Sequence, residues 1–305
     1  MTTTVTLIGA PTDIGASVLG ASMGPDALRI AGLAQALRER GLAVRDVGNL
    51  AGPGNPQAAP TGGFRHLPEV TAWNQAVFGA VQAALAAGEL PLLMGGDHCL
   101  AIGSISAVAA HCRARGKHLR VLWFDAHADA NTPASSPSGN LHGMPVACLL
   151  GHGPQGLVRM DGANTQALQA SQITQIGLRS VDAAEKHFVN TQGITVYDMR
   201  SIDELGMRAV MQAALAGVDE HTHLHVSFDM DCMDPSVAPG VGTPVRGGPT
   251  YRETQLCMEM LADCGRLGSV DLVELNPALD TRNQTAELAV ELLESLFGKS
   301  TLMRA

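Results

Sequence analysis

The sequence predicts an α/β fold of three layers, in which helices cover both faces of a central parallel sheet of about eight strands. Short runs of β-branched and aliphatic residues alternate with segments of helical periodicity from one end of the chain to the other, a pattern typical of parallel sheets. Several of these runs end in Asp, His or Gly. The chain has 305 residues, of which 46% are hydrophobic, so we expect one large core and a single domain over residues 1–305.

Eight runs have the length and composition of strands. They cover residues 5–9, 42–47, 90–94, 119–124, 173–178, 194–197, 223–228 and 269–275. Helical periodicity is present in residues 25–40, 69–88, 201–217, 251–267 and 285–297. The segment 51–63 is rich in Gly and Pro and is predicted to be a surface loop, because a helix and not a strand follows it.

Charge and composition exclude several classes of partner. The net charge is −9 and only 16% of residues are charged, whereas a nucleic-acid surface needs a dense basic patch. The basic residues Arg113, Arg115, Lys117 and Arg120 look like the solvated end of a helix. No run approaches about 18 apolar residues, the length of a membrane span, and no Lys or Arg precedes Arg29, as a signal peptide would require. We therefore expect a cytoplasmic protein without membrane or nucleic-acid partners, whose six cysteines, which include no C-x-x-C pair, stay reduced.

Three of the predicted strands are followed by side chains that bind metal ions. They are His98 after the third run, Asp125, His127 and Asp129 after the fourth, and Asp229 and Asp231 after the seventh. A spacing of two places side chains on the same side of an extended backbone, so each set can converge. The carboxyl ends of parallel strands are also where ligand sites of such sheets lie. Asp97 lies on the opposite side from His98 and is predicted to be a turn residue behind the ligands.

The four carboxylates of this set would repel one another at apolar strand ends, and their desolvation would be costly. Two divalent cations would offset their charge and could activate water for hydrolysis. A set of carboxylates and imidazoles without a thiolate suits Mn²⁺ better than structural Zn²⁺. The general order of affinities of divalent metals for such sites does not by itself exclude Co²⁺ or Ni²⁺. The sequence therefore predicts a binuclear metal site.

A second histidine cluster, His221, His223 and His225, also has a period of two. It lies at the opposite end of its strand, about 13 Å from Asp229 at 3.3 Å per residue, so we interpret it as the entry of the strand and not as a metal site. Cys99 and Cys232 point away from the convergent face by the same alternation and are predicted to be packed thiols.

Four motifs carry a resemblance to a known family. They are GGDH at 95–98, DAHAD at 125–129, SFDMDCMDP at 227–235 and PGVGTPV at 239–245. The chain resembles the ureohydrolase superfamily and, within it, the arginases, along nearly its whole length. The resemblance implies two Mn²⁺ ions and hydrolysis of a guanidinium group. It also implies six metal ligands, with Asp125 and Asp229 bridging: His98, Asp125, His127, Asp129, Asp229 and Asp231.

The segment 131–143 resembles the arginase loop that holds an α-amino acid. By that resemblance Asn131 and Ser138 would hold the substrate carboxylate with Asn140 nearby, and His142 would be the proton shuttle. The departures are Pro137, where the family commonly has a hydroxyl residue, and Cys232, where it commonly has glycine.

Further positions carry implied roles in the same way. Asp182 and Glu185 match the stretch that contacts the α-amino group, and Thr243 matches a residue that lines the site. Glu274 matches the carboxylate that orients the guanidinium, while Asp129 would both bind metal and accept a hydrogen bond from the attacking water. The implied reaction is L-arginine to L-ornithine and urea, in a homotrimer or homohexamer.

Three alternatives remain open. The chain could be a ureohydrolase acting on agmatine or a guanidino acid, against which the loop 131–142 argues. It could be a catalytically silent metal-binding or regulatory subunit, which would be expected to lack substrate residues. It could be a single-zinc deacetylase of related fold, which would not need both His98 and the complete set of Asp125, His127 and Asp129.

Overall fold

The computed structural model describes residues 3–162 and 166–302, and within them eight strands form one sheet. The strands are β1 Thr4–Ala10, β2 Ala43–Asn49, β3 Leu90–Gly95, β4 His118–Phe124, β5 Ile173–Ile176, β6 Thr195–Tyr197, β7 Thr222–Asp229 and β8 Leu267–Val273. All eight predicted strands are confirmed, and each predicted boundary lies within two residues of the observed one.

The sheet is parallel throughout, with the strand order β2-β1-β3-β8-β7-β4-β5-β6. The three strands with predicted metal ligands, β3, β7 and β4, therefore lie at its centre together with β8. Because parallel strands end at the same edge, this order brings their carboxyl ends side by side.

Eleven α-helices are present in the described residues. They are α1 Gly24–Ile30, α2 Leu33–Glu39, α3 Leu67–Ala86, α4 Ala101–Arg115, α5 Pro145–Leu149, α6 Gln155–Val158, α7 Ala183–Gln192, α8 Met199–Leu205, α9 Met207–Ala214, α10 Tyr251–Cys264 and α11 Gln284–Leu296. The predicted helices at 69–88, 251–267 and 285–297 are confirmed. Those at 25–40 and 201–217 are each divided in two, at Gly32 and Gly206, whose φ angles of 84° and 80° interrupt a right-handed helix.

Helix α4 was not predicted from the sequence, because most of its length is buried and shows no polar face. The interpretation of the basic cluster is correct for Arg113 and Arg115, which lie in the last turn of α4. It is wrong for Arg120, which lies in β4 and donates to the carbonyl of Ala214.

Two hydrophobic clusters form the three layers, one on each face of the sheet. Val5 and Leu7 of β1 belong to the cluster that includes α1, α2, α9, α10 and α11. Ile8 and Ala10 of the same strand belong to the cluster that includes α3, α4, α5 and α7. The alternation of the strand side chains thus buries both faces, which confirms the predicted fold class.

The structure also bears on the predicted loop, the cysteines and the absence of a membrane span. The segment 51–60 has no regular secondary structure and is largely exposed, as predicted for a surface loop. All six cysteines are free thiols. None of the helices in the described part of the chain combines the length and apolar character needed to cross a membrane.

Candidate metal centre and active site

The six predicted metal ligands meet at the carboxyl ends of β3, β4 and β7. The Nδ1 atom of His98 lies 3.2 Å from a carboxylate oxygen of each of Asp125, Asp129 and Asp229. All four residues are buried. The ligand atoms of His98, Asp125 and Asp229 lie within 4.8 Å of one another, close enough to hold one cation.

A second group shares Asp125 with the first. Nδ1 of His127 lies 3.1 Å from Oδ2 of Asp231 and 3.5 Å from Oδ1 of Asp125. These three residues also offer ligand atoms within 4.8 Å of one another. Since Oδ2 of Asp125 faces His98 and Oδ1 faces His127, this one carboxylate can contribute to both groups.

Local backbone geometry holds the ligands in place. Oδ1 of Asp125 accepts the amide of His127 at 2.7 Å, and Oδ1 of Asp229 accepts the amide of Asp231 at 2.6 Å. Asp129 has a φ of 49°, an uncommon left-handed conformation. The carboxylate of Asp97 accepts the amides of Gly15 and Cys99, which confirms that it is a turn residue behind the ligands.

Two further side chains support the ligands, and neither was predicted from the sequence. The ring of Trp123 stacks on His98 at a centroid distance of 4.0 Å, and its Nε1 donates to Oδ2 of Asp125. Nε2 of His98 lies 2.9 Å from Oγ of Ser227, which leaves Nδ1 towards the carboxylates. Trp123 and Ser227 each stand two positions before a predicted aspartate ligand, so the period of two was a signal that could have found them.

The electrostatics of the cluster favour bound cations. Burial, followed by the charges of Asp231 and Asp125, raises the pKa of Asp229 well above its usual value. Burial and the charge of Asp125 raise the pKa of Asp129 to about 7. Burial would also raise the pKa of Asp125, but hydrogen bonds from His127 and His98 outweigh it and lower that pKa. Divalent cations would relieve the repulsion behind the raised values, so this donor set fits two such ions.

Glu274 and His142 form a pair beside the cluster. Oε1 of Glu274 accepts the amide of His98 at 2.8 Å and lies 3.0 Å from Nδ1 of His142. Burial lowers the pKa of His142, but the hydrogen bond and charge of Glu274 outweigh it and raise the pKa to about 9. Glu274 follows β8 with a φ of 60°, so the fourth central strand also delivers a functional candidate to this edge.

The structure joins the predicted substrate loop to the start of α7. Nδ2 of Asn131 donates to Oδ2 of Asp182 at 2.9 Å, while the other oxygen of Asp182 caps α7 by accepting the amides of Ala184 and Glu185. Glu185 is buried and accepts the amide of Ala130. The two segments predicted to bind an α-amino acid are therefore in direct contact.

The predicted site residues fall into two sets around a cavity of about 150 Å³. The cavity is lined by His127, Asp129, Asn131, His142, Gly143, Glu185, Asp229, Asp231, Thr243 and Glu274. Five other predicted residues are not among its lining: His98, Asp125, Ser138, Asn140 and Asp182. Ser138 is exposed and accepts the amide of Asn140, and Nδ2 of Asn140 donates to Oγ of Ser17.

Thr243 contacts one of the predicted metal ligands directly. Its hydroxyl donates to Oδ2 of Asp231 at 2.8 Å, the same oxygen that faces His127. The two departures from the family pattern lie outside the cavity lining. Pro137 is exposed in the loop, and Cys232 is buried against Gly177, where an added Cβ would lie 2.9 Å from the Cys232 sulfur.

The second histidine cluster belongs to the packed sheet, as predicted. Nε2 of His223 lies 3.0 Å from Oγ of Ser269, and His225 contacts Ser269 and Asp271 through its two ring nitrogens. Neither histidine belongs to a metal-binding group found among the described residues.

A parallel α/β sheet whose central strands deliver two overlapping groups of carboxylates and imidazoles has the architecture of a metal-dependent hydrolase. Comparison with known proteins specifies the family. The model of the arginase family matches residues 3–298. The chain therefore belongs to the arginase family, whose members are hydrolases of guanidino C–N bonds.

Individual relatives support this assignment. The arginase of Bacillus caldovelox is 42% identical over 302 residues, covering 98% of this chain and 99% of the relative. Its native structure at pH 5.6 matches with a TM-score of 0.93 and 40% identity over 99% of this chain and all of that one. The structure of the arginase of Entamoeba histolytica in complex with L-ornithine matches with a TM-score of 0.90 and 31% identity, covering 98% of this chain and all of that one. A structure described as a hypothetical agmatinase from Burkholderia thailandensis matches with a TM-score of 0.69 and 26% identity, covering 97% of this chain and 85% of that one.

Proposed function

We propose that the chain hydrolyses L-arginine to L-ornithine and urea with two bound Mn²⁺ ions. The observation that carries the proposal is the shared carboxylate of Asp125, whose two oxygens face two separate groups of potential ligands. The greater similarity to arginases than to the agmatinase in identity and TM-score supports the choice of substrate.

Six residues would hold the cations. One group would be His98, Asp125, Asp129 and Asp229, and the other Asp125, His127, Asp231 and Asp229 if Asp229 also bridges. Oxygen-rich donors without thiolates suit Mn²⁺. When bound, two such cations lower the pKa of water and so supply a nucleophile at neutral pH.

The chain's own residues would orient the substrate and move the proton. Glu274 is a buried carboxylate that can hold the planar guanidinium by charge-assisted hydrogen bonds. Asp129 would accept a hydrogen bond from the attacking water. Because Glu274 raises the pKa of His142, His142 carries a proton near neutral pH and can donate it to the amine nitrogen as the C–N bond breaks.

The α-amino acid end of the substrate would be recognised by the loop and the start of α7. Asn131 and Ser138 would hold the carboxylate, with Asn140 nearby. Asp182 and Glu185 would face the α-amino group. The direct contact between Asn131 and Asp182 supports a single recognition surface for both groups. Thr243 would line the site and support Asp231.

Urea release from a panel of guanidino compounds tests the proposal. The Mn²⁺-loaded enzyme should release urea from L-arginine, with two metal ions per chain by elemental analysis. Faster release from agmatine or a guanidino acid would replace the proposed substrate. One tightly bound metal per chain in a fully active preparation would refute the binuclear centre.

We further propose that the chain forms one domain over residues 1–305 and assembles as a homotrimer or homohexamer in the cytoplasm. The single sheet shared by both hydrophobic clusters supports the first statement, and family membership supports the assembly. Free cysteines are consistent with a reducing compartment. Light scattering would test the assembly, and a single cooperative unfolding transition would support one domain. Cell fractionation would test the location.

A further inference from the structure

Arg179 contacts main-chain oxygens directly behind the group of predicted metal ligands. Each hydrogen bond of its guanidinium goes to a main-chain carbonyl oxygen. The acceptors are Asp231 at 2.8 Å, Cys232 at 2.7 Å, Met233 at 3.1 Å, Val245 at 2.8 and 3.1 Å, and Gly177 at 3.2 Å. The planar fork of the guanidinium thus spans the exit of β7 and the loop that follows Thr243.

The main chain of the same residue contacts the exit of β4. The amides of Arg179 and Ser180 both donate to the carbonyl of Ala126 at 2.9 Å. Ala126 stands between the ligands Asp125 and His127, and its own amide donates to Oδ1 of Asp231 at 3.2 Å. Arg179 therefore connects the two loops that supply Asp125, His127 and Asp231.

None of these contacts reaches the exit of β3, which carries His98. The group of His98, Asp125 and Asp229 is instead supported by Glu274, Ser227 and Trp123. His127 and Asp231, which belong to only one of the two groups, therefore lie on the loops that Arg179 contacts, whereas His98 lies at a strand exit that Arg179 does not contact.

We propose that Arg179 is a positioning residue for one of the two cations, the one held by Asp125, His127 and Asp231. It fixes the main chain of the β4 and β7 exits at the separation these ligands need, and it places the loop from which Thr243 donates to Asp231. The proposal rests on the binuclear centre proposed above. It adds that the two cations differ in their dependence on a residue that binds neither of them.

The sign of the effect separates positioning from simple electrostatics. A guanidinium close to a cation site repels the cation, so removal of its charge alone would tighten metal binding. Loss of positioning would weaken it, and residues that support metal ligands typically contribute about 10- to 100-fold in affinity. Arg179→Met should therefore weaken one ion by about this factor and leave the other close to the wild-type affinity.

The fold should survive the substitution because a second contact connects the exit of β7 to the loop that follows Thr243. Oδ2 of Asp234 accepts the amides of Gly247 and Gly248 at 2.7 and 3.2 Å. Arg179→Lys keeps the charge, but a single amine cannot span both loops, so it should lose less affinity than Arg179→Met. Arg200→Met is the matched control, since that side chain is 84% exposed on α8 and, among the described residues, forms its ion pair with Glu204.

The experiment is a graded chelator titration of the Mn²⁺-loaded enzyme, with released and bound Mn²⁺ measured by electron paramagnetic resonance. Wild type and Arg200→Met should release both ions alike, whereas Arg179→Met should release one ion at about 10- to 100-fold lower chelator and lose the signal of coupled Mn²⁺ pairs. Release of both ions as in wild type, tighter retention, or equal weakening of both would overturn the proposal. If Arg179→Met does not fold, the same titration of Arg179→Lys decides: weaker retention of one ion alone supports the proposal, and wild-type release, tighter retention or equal weakening of both ions overturns it.

Failure of the proposed function has a different signature. A wild type that holds two ions but prefers another guanidino substrate would refute the substrate and leave the role of Arg179 intact. A fully active wild type with a single ion would refute both, because no second position would exist for Arg179 to support.

Discussion

His223 should make the stability of this protein depend on pH between about 6.5 and 3. This residue is buried in the sheet, with 7% of its surface exposed. Burial, together with smaller contributions from the charges of His225, His111 and Lys117, lowers its pKa to about 3. In the unfolded chain the same group has a pKa of about 6.5. Between these two values the unfolded state binds one more proton than the folded state, so stability falls as the pH falls.

The size of the effect follows from the two pKa values. A pH of 5.0 lies about 1.5 units below the pKa of His223 in the unfolded chain, and each unit corresponds to about 1.36 kcal/mol. At this pH His223 should therefore lower the free energy of unfolding by about 2 kcal/mol. At pH 7.5 its contribution should be close to zero. Replacing His223 by Gln removes the titrating group and keeps a hydrogen-bonding side chain near Ser269.

The assay is urea unfolding of the Mn²⁺-loaded enzyme at pH 7.5 and 5.0. The loss of unfolding free energy between these pH values should be about 2 kcal/mol smaller in His223→Gln than in wild type. His221→Gln is the control, because that side chain is 68% exposed, and it should keep the wild-type loss. Protonation of the metal ligands affects all three proteins and cancels in the comparison. An equal loss in His223→Gln and wild type would refute the reasoning.

Three further predictions concern the site. Asp231→Ala should leave one ion weakly held and reduce activity by orders of magnitude, and retention of two tight ions by elemental analysis would contradict it. His142→Ala should keep its metals while kcat falls by about 10²- to 10⁴-fold, the usual range for a lost general acid or base; unchanged turnover in the metal-replete variant would remove His142 from the mechanism. Thr243→Val removes the hydroxyl that donates to Asp231 and should weaken Mn²⁺ retention by about 10-fold, which chelator titration against Thr250→Val, a substitution at the cap of α10, would measure.

The strands and the metal ligands were predictable because their signals are local. A period of two and a polar strand end can be recognised within ten residues, whereas the strand order that brings His98, Asp125 and Asp229 together was not predicted. The turn role of Asp97 followed from the same alternation. Those parts of the site depend on spacing along one strand at a time.

The parts that were not predicted depend on long-range contacts or on burial. Arg179 donates hydrogen bonds to the main-chain carbonyls of residues 231–233 and 245. Every residue type has such a carbonyl, so the sequence does not indicate which ones accept. Helix α4 is buried along most of its length, so it has no amphipathic period to detect. The division of helix 25–40 at Gly32 follows from one φ angle, and a single glycine within a periodic segment is compatible with either outcome. The positions of Ser138 and Asn140 outside the cavity lining depend on how the loop folds back onto Ser17.

The preference for L-arginine over agmatine tests the central claim most directly, because agmatine is arginine without its carboxylate. Two or three hydrogen bonds to that carboxylate, at about 1 to 3 kcal/mol each, should give L-arginine a kcat/KM at least about 10²-fold higher in the Mn²⁺-loaded wild type. The double variant Asn131→Ala, Ser138→Ala should slow arginine far more than agmatine and narrow this ratio. Equal efficiency of the wild type on the two substrates, or an equal loss on both in the double variant, would contradict the carboxylate contacts and favour an agmatinase.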